Sequence, residues 1–304
     1  MNRVKEDLRG ELKEYEPLAR YTSWRVGGTS RRFYKPADIH DLSIFLSSLP
    51  ENEELMWLGL GSNILIRDGG FSGTVIFTLG CLKNIDLINT KTLVRAEAGV
   101  TCAKLAKFCA KNGFSDSCFF AGIPGTVGGA LMMNAGAFGG VTWDHVVAVE
   151  TIDRFGKLHV RSPAEYTIHY REIKAPPGEW FVAGHFSFGQ DDPVKLQQQI
   201  KELLHKRSIS QPIGVLSCGS VFRNPPGDFA ARLIDISGLK GTCIGDARIS
   251  EKHANFILNS GKATAQDIES LIELAADKVE SIHGVRLIPE VHIIGETNSY
   301  DDQI

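Results

Sequence analysis

No stretch of this 304-residue chain comes near the ~20 consecutive apolar residues that cross a bilayer, which excludes a membrane-spanning helix. Its six cysteines, Cys81, Cys102, Cys109, Cys118, Cys218 and Cys243, contain no C-x-x-C and no ligand-like pairing with histidine. Neither a metal site nor a disulfide framework is therefore expected, and each thiol reads as a small buried apolar group in a reducing compartment. Net charge is also scarce, since 33 Lys and Arg stand against 36 Asp and Glu for a formal −3. No nucleic-acid partner is expected on that balance, and any bound anion has to be held by a local group of cations. The opening MNRVKEDLRGELKEY is charged throughout and lacks an apolar core, so it is not read as a signal peptide and a cytoplasmic location is expected. No protein partner is evident.

What is present is an ordinary globular composition, 43 % apolar and 23 % charged, at a length that suits two domains. The charged lead-in is compatible with a helix. Asp38 can cap a helix over 39–48, and ELMWLGLGSNILI (54–66) reads as a strand running into a glycine turn. Strands are expected at 74–79, 92–99, 146–153 and 181–188. Thr101 can cap a helix with apolar Cys102, Leu105, Ala106 and Cys109 at i, i+3, i+4 and i+7, ending at Gly113. A helix over 194–207 ends on His205, Lys206 and Arg207, cations suited to a helix C-terminus.

The remainder has its own pattern. Strands are expected near 242–249 and 254–258, and a helix over 265–283 with a capping box at Thr264 and Asp267 and Gly284 after its end. VRLIPEVHII (285–294) reads as a closing strand on which Glu290 shares a face with Ile288 and Ile294. Helices and strands mix without strict βαβ alternation, so the fold class is α+β. The expected domains are 1–190 and 191–296, with 297–304 as a disordered tail.

Two glycine-rich stretches, GLGSN (59–63) and AGIPGTVGGA (121–130), could form backbone nests for phosphate. GLGSNI puts Ile64 where G-x-G-x-x-G requires a third glycine, and neither stretch ends in the G-K-[ST] of a P-loop. Either alone is as readily a tight turn; two in one domain favour a nucleotide. CGSVFRNPPGD (218–228) raises the question of Ser220. A nucleophile elbow needs G-x-S-x-G, and here Cys218 and Phe222 occupy both glycine positions. Read alone, the segment is more readily a turn than a catalytic centre.

Six segments in order decide more: WLGLGSNILI (57–66), AGIPGTVGGALMMNAGAFG (121–139), HYRE (169–172), SCGSVFRNP (217–225), KHANFI (252–257) and PEVHIIGE (289–296). Together they resemble the UDP-N-acetylenolpyruvoylglucosamine reductases, flavoenzymes of bacterial cell-wall precursor synthesis, and YTSWRVGG (21–28) resembles that family's N-terminal motif. The resemblance spans about residues 20–296 and is closest to the shorter subtype. It implies an FAD-binding region of the vanillyl-alcohol-oxidase (PCMH) type in two subdomains, followed by a smaller α+β substrate-binding domain. It also implies FAD as cofactor, NADPH as hydride donor and a small-molecule UDP-sugar substrate.

Motif by motif, the resemblance assigns FAD to Gly59, Gly61, Ser62, Asn63 and Leu65, and to Gly122, Ile123, Pro124, Gly125, Thr126, Gly129, Asn134, Ala135 and Gly136. It makes Ser220 the acid that protonates a carbanionic carbon, with Arg171 and Glu290 as the other catalytic residues. Asn224, Lys240, His253, Arg207 and Tyr170 are the substrate-binding candidates. The family's Y-R-x-S is Tyr170-Arg171-Glu172-Ile173 here, without the hydroxyl. An arginine stays cationic and offers a planar fork of donors, which suits a carboxylate gaining charge. An oxidase on the same flavin fold, and a UDP-sugar or flavin-binding regulator without turnover, are the alternatives. Neither accounts for GSVFRNP and PEV together with an intact Ser220 and Glu290.

Overall fold

The computed structural model describes residues 8–89 and 92–298. Most of the expected tail, residues 299–304, lies outside the described residues, as does the start of the lead-in. The chain divides into two compact units that interleave along the sequence. Unit 1 is Met1–Lys13, Phe33–Leu60 and Gly73–Arg207; unit 2 is Glu14–Arg32, Gly61–Ser72 and Ser208–Ile304.

Unit 1 is built on a five-stranded antiparallel sheet. Its order is Leu158–Arg161, Val146–Asp153, Glu179–Ser187, Leu93–Glu97 and Ile85–Ile88. A second β layer contains the parallel pair Leu55–Leu58 and Phe71–Phe77, covered by helix α1 (Ile39–Ser47). Asp38 caps α1 as expected, its carboxylate accepting from Asp41 N–H at 2.9 Å. Leu42, Phe45 and Leu46 of α1 share an apolar cluster with Tyr34, Ile76, Ile152 and Val182.

Helix α2 (Cys102–Lys111) starts at Thr101, whose hydroxyl accepts from Lys104 N–H at 3.2 Å, and the chain turns away at Gly113, φ +78°. Its apolar stripe is buried together with Phe114, Phe120, Phe186 and helix α3 (Val127–Met132). Fully burying one such large side chain contributes about 1.5–3 kcal/mol, so this cluster, rather than helix propensity, carries the unit. Helix α4 (Pro193–Ser210) closes the segment, burying Leu196 and Ile200.

Unit 2 sets α5 (Ala230–Ile236) and α6 (Ala265–His283) on a small antiparallel sheet of Cys243–Ile244, Ala247–Ile249 and Ile257–Asn259. A parallel pair, Ile64–Ile66 with His292–Ile294, belongs to the same unit. The capping box of α6 is complete. Asp267 N–H donates to Thr264 Oγ1 at 3.0 Å and Thr264 N–H to Asp267 Oδ2 at 2.9 Å, while the Asp68 carboxylate accepts from both Ala265 and Gln266 N–H at 3.0 Å. Ile268, Leu271, Ile272 and Val279 of α6 pack with Trp24, Leu65 and Phe222, and Gly284 ends the helix at φ +69°.

Several expectations differ from what is found. The strand expected near 242–249 is a hairpin of two, Cys243–Ile244 and Ala247–Ile249. Glu11–Pro17 is a strand, not part of a helix. The closing strand is confined to His292–Ile294, so Glu290 lies ahead of it and the shared face with Ile288 and Ile294 does not exist. Pro289 has no N–H to give to a ladder, and the run before it makes only single bridges, such as Phe222 with Pro289. Helices and strands are mixed in both units, and the α+β class holds. Among the described residues no helix is long and apolar enough to cross a membrane, and no three of His, Cys, Asp and Glu are grouped to hold a metal.

Candidate active site

Unit 1 brings together residues far apart in sequence. The strand Leu55–Leu58 delivers Gly59 so close to Thr126 that a Cβ on the glycine would lie 2.4 Å from the threonine hydroxyl. Gly59 of the first glycine-rich stretch is thus a neighbour of the second. Gly122 is equally confined, since a Cβ there would meet the Phe138 ring at 2.4 Å. A side chain is excluded at both glycines, which leaves backbone at those two positions.

Part of that backbone is already engaged. The N–H groups of Gly125, Val127 and Gly128 donate to the carbonyls of Ile123, Val100 and Ala98 at 3.0, 2.8 and 2.9 Å. Gly129 N–H reaches Thr126 Oγ1 at 3.5 Å, as the cap of α3. Two of these four bonds close the loop on itself and two tie it to the Ala98–Val100 segment, so a phosphate would have to meet other amides of the stretch. Ile123 and Pro124 form the turn entering this loop, and Ile123 is itself buried.

Arg171 occupies the second turn position of a hairpin whose strands pair Thr167, Ile168 and His169 with Lys174, Ile173 and Glu172. Its φ is +58°, a conformation that costs a non-glycine residue roughly 1–2 kcal/mol. The guanidinium donates to Asn134 O at 3.2 Å and Gly136 O at 3.0 Å, two carbonyls just beyond the second glycine-rich stretch in the 121–139 segment. Asn134, itself at φ +40°, answers from the other side: its amide donates to His169 O at 3.2 Å and its oxygen accepts from Trp143 N–H at 3.1 Å.

Ala135 is held there too, its carbonyl accepting from Thr142 N–H at 3.0 Å and the Thr142 hydroxyl at 2.7 Å. Tyr170, exposed, has its ring centroid 5.1 Å from the Arg171 guanidinium carbon. Ile173, where the family pattern has serine, is buried in the main apolar cluster beside Tyr166. The missing hydroxyl is replaced by apolar anchorage of the hairpin base. Arg207, near the end of α4, is half-buried, and burial pulls its pKa below the usual arginine value.

Unit 2 holds the other candidates. Gly61 has φ +67°, and a Cβ there would strike the Tyr21 carbonyl at 2.1 Å, so glycine is required. Ser62 follows, half-buried. Leu65 is fully buried in the apolar core, so only its backbone remains for a ligand. Asn63 reaches across sequence: its amide donates to Glu290 O at 3.1 Å, and its carbonyl accepts from His292 N–H at 3.1 Å.

The segments that carry Ser220 and Glu290, separated by 69 intervening residues, are joined by backbone bonds. Glu290 N–H donates to Val221 O at 2.7 Å, and Arg223 N–H to Ile288 O at 2.9 Å. Cys218 is buried, its thiol 3.5 Å from Gly61 O and 3.6 Å from Ile64 O, and burial pushes its pKa up to about 12, which keeps it an inert thiol.

Asn224 uses its carboxamide oxygen to accept Ala230 N–H at 3.1 Å, at the start of α5. Lys240 pairs with Asp235 at 2.6 Å. His253 stacks edge-on against Phe256 at 4.8 Å, and its buried Nδ1 has no partner in the described structure. Burial, and then the charge of Lys240, lower its pKa, so the imidazole is neutral at pH 7. One residue of this half was not anticipated: Asn255, 3 % exposed, bonds twice to the backbone of Phe222. Its signal in KHANFI was a lone amide among apolar neighbours.

Two family models match the chain, an FAD binding domain over residues 31–161 and the C-terminal domain of UDP-N-acetylenolpyruvoylglucosamine reductase over residues 211–294. A UDP-N-acetylenolpyruvoylglucosamine reductase of Coxiella burnetii (strain RSA 493 / Nine Mile phase I) is 58 % identical over 308 aligned positions, covering 95 % of this chain and 98 % of that protein. The chain belongs to the UDP-N-acetylenolpyruvoylglucosamine reductase family. The reductase of Alkalilimnicola ehrlichii is 55 % identical, with 95 % of this chain and 97 % of the relative covered. Among solved structures, the UDP-N-acetylenolpyruvylglucosamine reductase of Thermus caldophilus superposes with a TM-score of 0.79 at 32 % identity, covering 94 % of this chain and 99 % of that one.

The chain is therefore an FAD-dependent oxidoreductase. The residues of unit 1 fit that cofactor: glycines at 59 and 122 admit no Cβ, and a guanidinium is fixed on the Asn134 and Gly136 carbonyls of the 121–139 segment.

Proposed function

We propose that this family member reduces UDP-N-acetylglucosamine enolpyruvate to UDP-N-acetylmuramate with NADPH, as a cytoplasmic step of peptidoglycan precursor synthesis. The observation that carries the reading is the backbone registration of Ser220 with Glu290 through the 2.7 Å bond from Glu290 N–H to Val221 O. Neither an oxidase nor a binding regulator needs the segment after Ser220 held in backbone register with the one that carries Glu290.

When bound, FAD supplies the hydride, taken from NADPH, that adds to the enolpyruvyl methylene carbon. The adjacent carbon then carries negative charge, delocalised into the substrate carboxylate. In this reading Arg171 neutralises that charge. Two of the five donors of its guanidinium are bonded to Asn134 O and Gly136 O, which fixes the plane of the cation before substrate arrives.

Ser220 gives its hydroxyl proton to the carbanionic carbon. A hydroxyl is a very weak acid, but a carbanion is a strong enough base to take the proton, so no activating histidine is required. Glu290, in its protonated form, orients the same carboxylate by donating a hydrogen bond to it. Gly59, Gly61, Ser62, Asn63 and the stretch from Gly122 to Gly136 receive FAD. Lys240, Asn224, His253, Tyr170 and Arg207 receive the UDP-sugar, whose diphosphate needs local cations in a chain of formal charge −3.

An anaerobic visible spectrum tests this reading. The yellow holoprotein should bleach with NADPH and regain colour on addition of UDP-N-acetylglucosamine enolpyruvate. Bleaching that only oxygen reverses would favour an oxidase instead.

A further inference from the structure

Asn255 carries no charge and lies in none of the motif positions assigned to cofactor or substrate, yet its polar groups converge on the two residues after Ser220. Its backbone carbonyl accepts Val221 N–H at 2.9 Å. Its carboxamide oxygen accepts Phe222 N–H at 2.9 Å, and its carboxamide N–H donates to the Phe222 carbonyl at 2.9 Å. The side chain thus acts as one residue of strand, giving Phe222 both a donor and an acceptor in ladder fashion. On the other side Val221 O accepts from Glu290 N–H and Arg223 N–H donates to Ile288 O.

Ser220–Arg223 is not part of any regular strand, so these bonds hold it where a sheet would otherwise do so. Ser220 lies one residue beyond the clamp, next to Gly219 at φ +71°, a position whose Cβ direction is open space. Nothing packed on Gly219 fixes the serine; the clamp at Val221 and Phe222 does.

We propose that Asn255 is a positioning residue that sets the register of Ser220 against Glu290, and so controls proton delivery to substrate. The proposal rests on the reading above that these two residues act on one substrate. Phe222 is 2 % exposed, so loss of the carboxamide leaves a buried N–H and C=O unpaired, and the segment moves to recover partners. A displacement of about 1 Å at a reacting group costs on the order of a hundredfold in rate.

The test uses full-length holoenzyme carrying Asn255→Ala or Asn255→Asp. The second keeps the shape and the acceptor for Phe222 N–H but, ionised, has no donor for the Phe222 carbonyl, and it serves if the alanine variant does not fold. Asn259→Ser is the matched comparison, since that carboxamide is 8 % exposed and bonds to Gly261, Ala263 and Trp24 instead. Both Asn255 variants should keep flavin reduction by NADPH within about twofold while re-oxidation by the enolpyruvyl sugar slows about a hundredfold.

The solvent deuterium isotope effect on re-oxidation should rise, because proton transfer becomes the slow step. Amide exchange at Val221 and Phe222 should accelerate, measurable without any turnover. Asn259→Ser should lower thermal stability and leave the ratio of the two half-reactions as it was. Equal slowing of both half-reactions, or unchanged re-oxidation in a folded Asn255 variant that holds FAD, would overturn the proposal. If the unsubstituted enzyme itself is not re-oxidised by the sugar, the functional reading has failed instead. Amide exchange then still decides whether Asn255 is the clamp: unchanged exchange at Val221 and Phe222 rejects it.

Discussion

The two units hold their candidate catalytic groups by opposite means. Unit 1 uses charge: Arg171 reaches its place at a strained turn through its own guanidinium, bonded to Asn134 O and Gly136 O. A second charged network, Arg95 with Glu150 and His185, ties the strands of its central sheet. Unit 2 places Ser220 and Glu290 through backbone bonds and the neutral amides of Asn63 and Asn255, and neither catalytic side chain is needed for those bonds. It does contain a charged pair, Arg67 with Glu269, but at the α6 end of the unit and not among the bonds that hold Ser220. The lesson is about separability. For Ser220 the proposed chemistry and the placement reside in different atoms; in unit 1 the group that would do the chemistry also holds the loop.

The comparison can be broken most sharply at Ser220. Ser220→Ala removes the proposed proton donor and leaves every bond of the clamp intact. Re-oxidation by the enolpyruvyl sugar should fall by about 10³-fold, within the range for loss of a general acid, with flavin reduction by NADPH and the melting temperature unchanged. If both half-reactions fall together, placement and chemistry are not separable in unit 2 after all. Arg171→Lys should come next in size. Lysine keeps the charge but not the fork, so one of the two carbonyls is lost. Substrate turnover should fall about 10²-fold, as when one donor to a developing oxyanion is removed. Unlike the serine change, this one should also speed amide exchange around Asn134 and His169. Unchanged exchange there would mean that Arg171 is not part of what holds its own loop.

How far the sequence reveals this arrangement depends on the range of the contacts involved. Helix α6 was readable at both ends because its signals are local: Thr264 and Asp267 three residues apart, an apolar stripe, and Gly284 after the last turn. Thr101 and Gly113 bounded α2 for the same reason. Ser220, Arg171 and Glu290 were picked out by motif resemblance, since a turn former, an arginine and a glutamate carry no chemistry in isolation.

The interleaving of the units was not readable. Residues 14–32 and 61–72 group with the C-terminal part through pairings such as Leu65 with Ile293, more than 200 residues apart in sequence. Nor was the closing strand, because the alternation around Glu290 ignored what Pro289 does to a ladder. Asn255 was invisible for a related reason: whether an asparagine is a surface residue or a clamp depends on a partner 33 residues away.

The smallest effect predicted here concerns acid stability, where the contrast between charge and neutral amides should also show. Burial alone would raise the pKa of Glu150, but hydrogen bonds from Arg95 at 2.6 Å to each oxygen, and His185 at 2.6 Å, hold it at about 2 against an ordinary value of 4.5. A carboxylate whose pKa is depressed by folding binds protons more readily when unfolded. Its contribution is therefore complete above the unfolded pKa and is lost as pH falls from about 4.5 to about 2. The stake is on the order of 3 kcal/mol.

Glu150→Gln cannot ionise, so between those limits the variant should lose less stability with acid than the unsubstituted chain, although it starts lower at pH 7. Amide exchange followed from pH 5 downward should show the strand Val146–Asp153 opening earlier than the clamp at Phe222, whose neutral amide does not titrate. If the two segments open together and Glu150→Gln leaves the profile unaltered, the charged network is not what distinguishes unit 1, and the contrast reduces to Arg171 alone.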